Sequence, residues 1–133
     1  KNDKSLFSEA LSIAKESDLS ILVLGDARDT CAEERDRQSL DLSGSQLGLL
    51  QTIAASNKLQ NKKTVLVLIH GRPVTFGEHN PLLENVSAII SAWRPGEEGG
   101  SAVASILSGA SNPSGRLAQS WPRFVGQIGG PRH

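Results

Sequence analysis

The sequence has few of the features that mark membrane, nucleic-acid-binding or disulfide-linked proteins. Its 133 residues include one cysteine, Cys31, so no internal disulfide can form. No apolar run approaches the roughly 18 residues of a membrane-spanning helix, and we expect a signal peptide to be absent or already removed. Fourteen basic and fourteen acidic side chains balance to zero, whereas nucleic acid requires a concentrated basic face. Neither a membrane nor nucleic acid is therefore expected as a partner.

An alternation of apolar and helical segments runs along the chain. The short apolar runs lie at 20–24, 64–69 and 87–93. The segments with helical spacing lie at 5–16, 45–56 and 101–107. Runs that are apolar on both faces are typical of buried parallel strands, and a short edge strand is predicted at 116–122, where Pro122 prevents its continuation. The pattern predicts an α/β fold, a three-layer sandwich with a mostly parallel sheet. This sheet is expected to be incomplete at its N-terminal end, because the chain opens on a helix.

In parallel sheets of this kind, ligands bind at the edge formed by the carboxyl ends of the strands. Three loops leave the predicted strands at that edge, after Leu24, Ile69 and Trp93. The first loop is highly charged, the second reads HGRP and the third reads RPGEEGG. We therefore expect a site, if the chain has one, to lie among these loops.

The loop after Leu24 combines five carboxylates with three arginines between Gly25 and Gln38. The carboxylates are those of Asp26, Asp29, Glu33, Glu34 and Asp36. Charged residues in a loop are most often simply solvated. Crowded carboxylates, however, push the pKa values of one another apart, and a raised pKa suits a general acid that must hold its proton near neutral pH. Composition alone does not choose among the five.

Other constellations of residues are less specific. The glycine-rich turn RPGEEGGSA has neither P-loop nor dinucleotide-binding spacing, and its two glutamates would repel an anion. No G-x-S-x-G motif occurs, and Ser43 or Ser45 has the position of an ordinary helix cap. The three histidines have no metal-ligand spacing with one another or with Cys31, so no metal is expected, and with no nucleotide-binding motif no organic cofactor is expected. His70 fits a structural histidine as well as one that contacts a ligand.

Four segments together resemble the C-terminal α/β sandwich domain of glycoside hydrolase family 3, whose commonest members are β-glucosidases. In order, they are ESDLSILVLGD, AEERDRQSLDLSGSQLGLL, VLVLIHGRPV and AWRPGEEGGSAVASILSGASNPSGRLAQSWPRFVGQI. The last segment contains the long Pro-Gly-acid-Gly-Gly and Asn-Pro-Ser-Gly-Arg-Leu signature. The resemblance covers roughly residues 6 to 128, so residues 1–133 are expected to be this domain or a fragment of it.

The resemblance implies a retaining glycosidase whose nucleophilic Asp lies in a preceding barrel domain. In many members the general acid/base is a Glu on a loop of the second domain. By position this Glu is Glu33, eight residues after Gly25 and four before Arg37, and Glu34 is the alternative one residue away. A retaining enzyme needs two carboxyl groups about 5–5.5 Å apart, and Glu33 would supply one of them.

Other site residues also follow from the resemblance. Asp26 and Trp93 are expected to bind substrate, although the family usually has Glu where this chain has Asp26. Arg35, Asp36 and Arg37 are expected to brace the charged loop by ion pairing.

These residues are expected to act only together with a barrel. The barrel would contribute the nucleophile in cis or in trans, the substrate would be a β-glucoside or oligosaccharide with a terminal β-D-glucosyl residue, and the isolated chain is predicted to be inactive. Apolar surface that a barrel would cover makes self-association an expected property. The alternative is a non-catalytic carbohydrate-binding or protein-interaction module on the same fold. The family slightly favours a periplasmic or secreted location.

Overall fold

The computed structural model describes residues 7–34, 36–77 and 82–127. Helices and strands alternate along these ranges. The longer elements are α1 (Phe7–Glu16), β1 (Leu19–Gly25), α2 (Gln46–Leu59), β2 (Lys63–Ile69), α3 (Leu82–Asn85), β3 (Ala88–Trp93) and α4 (Gly99–Leu107). Short 3-10 turns occupy Arg28–Thr30 and Val125–Gln127. No helix within the described ranges has the length and apolar character needed to cross a bilayer.

The three strands form one parallel sheet in the order β1-β2-β3. The pairing of β1 with β2 runs from Leu19 opposite Lys63 to Gly25 opposite Ile69 without a slip. The predicted α/β fold with a parallel sheet is confirmed, since each of the three apolar runs is a strand. Parallel pairing brings the carboxyl ends of all three strands to one edge, and the loops named above leave from that edge.

The core lies between α2 and one face of the sheet. Alternate residues of β2, Leu66 and Leu68, are fully buried on that face, and Leu50 and Ala54 of α2 are fully buried against them. Helix α2 contacts both β1 and β2, and α1 and α3 pack against α2. Burying one such leucine contributes roughly 1.5–3 kcal/mol. This core therefore fixes the strand ends from which the three loops begin.

The other face of β1 is largely uncovered by the described residues. Leu19, Ile21 and Val23 point away from the α2 core, and they are 45%, 44% and 61% exposed, respectively. We call this apolar strip the open face of β1. Three aliphatic side chains in a row at such exposure form a contiguous patch of the kind that marks an interaction surface.

Two details of the sequence prediction were wrong. Residues 116–122 form irregular chain and no strand. Leu117 is 56% exposed, and the segment is held instead by Trp121, whose Nε1–H donates to the Val74 carbonyl at 2.6 Å. Ser45 lies at the N-cap of α2, but its side chain makes no capping hydrogen bond. The start of the helical segment predicted at 5–16 lies outside the described residues.

Candidate functional site

The end of β1 requires a glycine. A Cβ atom on Gly25 would lie 1.7 Å from the Ile69 carbonyl oxygen, so no other residue allows β1 and β2 to close here. The side-chain amide of Gln46 then binds both polar groups of Gly25, because its Oε1 accepts from the Gly25 N–H at 2.8 Å and its Nε2 donates to the Gly25 carbonyl at 2.9 Å. The first residue of α2 is thus tied to the point where the charged loop begins.

Asp26 follows immediately and is enclosed by arginines. Its side chain is 1% exposed, its Oδ1 lies 2.9 Å from Arg72 Nη2, and Arg37 Nη1 is 3.8 Å away. Within the described residues, Asp26 Oδ2 and Arg72 Nε are buried without a hydrogen-bond partner. A carboxylate surrounded in this way is braced by charge and is nearly closed to solvent. Substrate binding by Asp26 stays a prediction, and it would require this cluster to open.

The charged loop, residues 26–41, is held at both of its ends by guanidinium groups that bind main-chain carbonyls. Arg37 donates to the carbonyls of residues 30, 39 and 41 at 3.2, 3.1 and 3.0 Å. Arg72, from the loop after β2, donates to the Leu40 carbonyl at 2.7 Å. Arg94, from the loop after β3, donates to the Cys31 carbonyl at 2.7 Å. The loops after all three strands are therefore joined through this one.

Glu33 and Glu34 lie between the two held ends and are exposed. Neither makes a hydrogen bond or an ion pair with another described residue. Glu34 has a φ of 59°, a left-handed conformation that costs a residue other than glycine roughly 1–2 kcal/mol. Asp36 is exposed, and Arg35 lies outside the described residues. Of the predicted braces, Arg37 therefore holds the loop, mostly through main-chain carbonyls.

Asp41 fixes the C-terminal end of the loop to the segment after β2. Its Oδ1 accepts from the Thr75 hydroxyl at 2.5 Å and from the Gly77 N–H at 2.8 Å, beside a parallel β-bridge between Asp41 and Thr75. Burial alone raises the pKa of Asp41, but these two hydrogen bonds, one from Ser39 and the charge of Arg72 outweigh it and lower the pKa below its ordinary 3.8. The charged form of Asp41 is therefore stabilised in the fold.

His70 is a structural histidine. It is 1% exposed, and its Nδ1 lies 2.5 Å from the Arg72 carbonyl oxygen while its Nε2 lies 2.9 Å from Ser91 Oγ. Because a carbonyl only accepts, Nδ1 must carry a proton and donate it. Both ring nitrogens have partners, so of the two readings left open by the sequence the structure supports the structural one.

Trp93 ends β3 in an unusual backbone conformation. The register slips at this point, with Leu68 opposite Ser91 but Ile69 opposite Trp93, and Trp93 has a φ of 55°. Such bulges re-aim side chains, and left-handed bulky residues are found where the surroundings enforce them. The Trp93 ring lies 4.5 Å from the ring of His70 and 6.3 Å from that of Trp121. These contacts hold the half-buried indole at the same edge as the charged loop.

The predicted site residues thus occupy one edge of the sheet without forming one contact cluster. Among the described residues, no hydrogen bond or ion pair joins Glu33 to Asp26 or Trp93. Sequence reasoning missed three residues that support the site, Gln46, Arg72 and Arg94. All three stand in segments that carried the family resemblance, but no pattern in the sequence singled out any of them as a support of the loop. The described ranges hold no group of three or more His, Cys, Asp or Glu residues arranged for a metal ion.

Comparison with known proteins gives a consistent result. The family model for the glycosyl hydrolase family 3 C-terminal domain matches residues 2–133. A β-xylosidase of Formosa agariphila is 42% identical over 94% of this chain and 16% of its own length. Beta-glucosidase B of Emericella nidulans is 39% identical over 94% of this chain and 14% of its own length.

Solved structures agree with these relatives. A β-glucosidase of intestinal bacteria involved in saponin metabolism superposes with a TM-score of 0.83 at 33% identity, over 95% of this chain and 18% of that one. A Kluyveromyces marxianus β-glucosidase in complex with glucose gives a TM-score of 0.79 at 32% identity, over 92% of this chain and 14% of that one. This chain therefore spans less than a fifth of each of these four proteins. The chain belongs to the glycosyl hydrolase family 3 C-terminal domains.

Proposed function

We propose that this domain supplies the general acid/base of a retaining β-glucosidase-like glycoside hydrolase, and that Glu33 is the residue. The observation that carries the proposal is the placement of Glu33 between the two held ends of the charged loop, at the carboxyl edge of the sheet, where it is exposed and has no partner among the described residues. A rigidly supported carboxyl group that faces outward is what a catalytic acid on one domain needs in order to act on a substrate held by another.

In this proposal the two carboxyl groups of the reaction come from two domains. An Asp of a barrel domain attacks the anomeric carbon while the protonated Glu33 donates its proton to the glycosidic oxygen, and the aglycone leaves. The Glu33 carboxylate then takes a proton from water, and this water displaces the Asp and releases the sugar with retained configuration. The isolated chain has only one of the two groups and is expected to be inactive.

For the substrate we propose a terminal β-D-glucosyl residue, with a xylosyl residue as the nearest competitor. Relatives of comparable identity are named β-glucosidase, β-xylosidase and exo-α-(1→6)-L-arabinopyranosidase. The choice among these sugars belongs to the whole enzyme, since most of the sugar contacts would come from the barrel. Trp93 is the residue of this domain that we propose to line the sugar site, because its half-buried ring offers an apolar surface at the correct edge.

The test is Glu33→Ala in the complete gene product, with Glu34→Gly as the matched control. We expect Glu33→Ala to lower kcat/KM for glucosides with poor leaving groups by about 10²–10⁴-fold, and much less for 2,4-dinitrophenyl β-glucoside. Added azide should restore turnover of the dinitrophenyl substrate with formation of β-glucosyl azide, because azide occupies the space of the lost carboxylate. Glu34→Gly should retain activity. The same phenotype in a Glu34→Ala variant, with Glu33→Ala unaffected, would exchange the two assignments.

The non-catalytic alternative is favoured by one observation, the open face of β1. If this face serves an interaction in place of catalysis, Glu33→Ala will leave the glycosidase kinetics of the complete protein unchanged. We also propose that the open face makes the isolated chain self-associate. Sedimentation should then give a concentration-dependent mass, and Val23→Lys should return the chain to a monomer. A monodisperse wild-type monomer at millimolar concentration would reject self-association.

A further inference from the structure

We propose that Arg94 is a positioning residue for the acid/base, because it ties the loop that carries Glu33 to the end of β3. This inference rests on the proposed role of Glu33 and adds to it a residue from a separate part of the sheet. The contact runs from the Arg94 guanidinium to the Cys31 main-chain carbonyl, two residues before Glu33, and it passes over Gly71.

The first observation is the hydrogen bond itself. Arg94 Nη2 donates to the Cys31 carbonyl at 2.7 Å, the short distance expected when the donor carries a full charge. Because the acceptor is a main-chain atom, the bond holds the path of the loop and not one of its side chains. Glu33 follows Cys31 by two positions in the chain, and two residues span at most about 7 Å. Movement of the Glu33 backbone is therefore limited by this bond.

The second observation is the space that Gly71 leaves for the contact. A Cβ atom at Gly71 would lie 2.8 Å from Arg94 Nε, 3.0 Å from Arg94 Nη2 and 2.9 Å from Cys31 Sγ. The φ of Gly71 lies outside the left-handed region, so its backbone conformation does not require glycine. A larger residue would instead displace the Arg94 guanidinium or the Cys31 side chain, and a displaced guanidinium would weaken its hydrogen bond to the Cys31 carbonyl.

The third observation is that the three arginines bind different parts of the charged loop. Arg37 belongs to the charged loop, so its bonds to the carbonyls of residues 30, 39 and 41 close the loop on itself. Arg72 attaches the C-terminal end of the loop to the segment after β2. Arg94 attaches the N-terminal end to β3, directly after Trp93, whose backbone is set by the bulge and whose ring contacts His70. Loss of Arg94 would thus detach Cys31 from the end of β3, and the bond from Arg37 to the Thr30 carbonyl would remain.

The experiment compares leaving groups in the complete gene product. The variants are Arg94→Met, which keeps the apolar stem and removes the donor, Arg94→Lys, which keeps a charged donor, and Gly71→Ala. Arg116→Met is the matched control, because Arg116 is exposed and makes no hydrogen bond or ion pair with the described residues. For each variant, kcat/KM is measured on an alkyl β-glucoside, whose departure needs the acid, and on 2,4-dinitrophenyl β-glucoside, whose departure does not.

We expect Arg94→Met to lower kcat/KM on the alkyl glucoside by about ten- to a hundredfold, the loss that accompanies a misplacement of about 1 Å, and to change the dinitrophenyl value by less than about threefold. Arg94→Lys should recover most of the loss, and Arg116→Met should match the wild type. Gly71→Ala should also lower kcat/KM on the alkyl glucoside relative to the dinitrophenyl glucoside. Adding Gly71→Ala to Arg94→Met should lower kcat/KM no further, because both substitutions remove the same contact.

The outcomes separate the two proposals. Suppose that Glu33→Gln lowers kcat/KM selectively on the alkyl glucoside, whereas Arg94→Met lowers kcat/KM equally on both substrates or on neither. The role of Glu33 then stands, and the positioning role of Arg94 is overturned. If Glu33→Gln changes kcat/KM equally on the two substrates, the proposed function is wrong, and the inference about Arg94 is wrong with it. Because Arg94 is exposed, Arg94→Met should fold even if Gly71→Ala does not, so the result does not depend on the crowded variant.

Discussion

Removal of the Asp26 carboxylate should destabilise the domain more than any other single change to a charged group in the described residues. Its side chain is 1% exposed and faces Arg72 at 2.9 Å and Arg37 at 3.8 Å. Breaking a buried ion pair by removing one partner typically costs about 3–5 kcal/mol. Arg72 would keep its hydrogen bond to the Leu40 carbonyl and is partly exposed, so we expect Asp26→Ala to lie at the lower end, about 3 kcal/mol.

Asp26→Asn should cost less, and the structure gives the reason. The amide oxygen can still accept from Arg72, although the amide nitrogen would take the position of Oδ2, where the described residues offer it no acceptor. What is lost is the difference between a charge-assisted and a neutral hydrogen bond, about 1–2 kcal/mol. Comparing the two substitutions therefore separates the contribution of charge to the free energy of unfolding from that of hydrogen bonding.

Urea denaturation of the chain, followed by the fluorescence of its two tryptophans, measures both losses as shifts in midpoint at constant slope. Asp18→Ala is the control, because Asp18 is exposed and should change the free energy of unfolding by less than about 0.5 kcal/mol. In the Asp26→Ala background, Arg72→Met should cost much less than it does alone. A loss below about 1 kcal/mol for Asp26→Ala, or equal losses for Asn and Ala, would refute the reasoning.

Three further predictions concern the same edge. Glu34→Gly should raise the free energy of unfolding by about 0.5–1 kcal/mol, since glycine tolerates the φ of 59°; a destabilised variant in urea denaturation would contradict this. Gly25→Ala should not fold, because its Cβ would lie 1.7 Å from the Ile69 carbonyl oxygen, and a native circular dichroism spectrum would disprove it. The lowered pKa of Asp41 stabilises the fold above about pH 4, and this contribution is lost as the pH falls through the folded pKa. The stability gap between wild type and Asp41→Asn in urea should therefore close below about pH 4, and a gap that stays constant to about pH 3 would count against the assignment.

The sheet was predictable because its signal is local. Each strand is a short apolar run ended by glycine, histidine or tryptophan with a polar loop, and such runs report burial on both faces directly. The prediction of a strand at 116–122 was wrong because it relied on the same local signal. Its apolar residues look like a strand, but no described strand pairs with it, and the Trp121 side chain holds it through a single bond to the Val74 carbonyl.

The support of the site was not predictable in the same way. The family resemblance pointed to Glu33 by its position along the loop, and charge pointed to ion pairing by Arg35, Asp36 and Arg37. The actual partners of Arg37, Arg72 and Arg94 are mostly main-chain carbonyls, and every residue has a carbonyl, so the sequence carries no mark of which one is bound. The bulge at Trp93 was likewise invisible, because it depends on pairing between β2 and β3 and not on a local pattern.

Attachment through carbonyls has a consequence for how such a loop can diversify. A side-chain partner constrains two positions at once, whereas a guanidinium bound to a peptide oxygen constrains only the arginine. Thr30, Cys31, Ser39 and Leu40 can each be exchanged without loss of the acceptor that holds them. The outward side chains of this loop can therefore change while the path of its main chain stays in place. The sequence of the loop is thus less constrained than its shape.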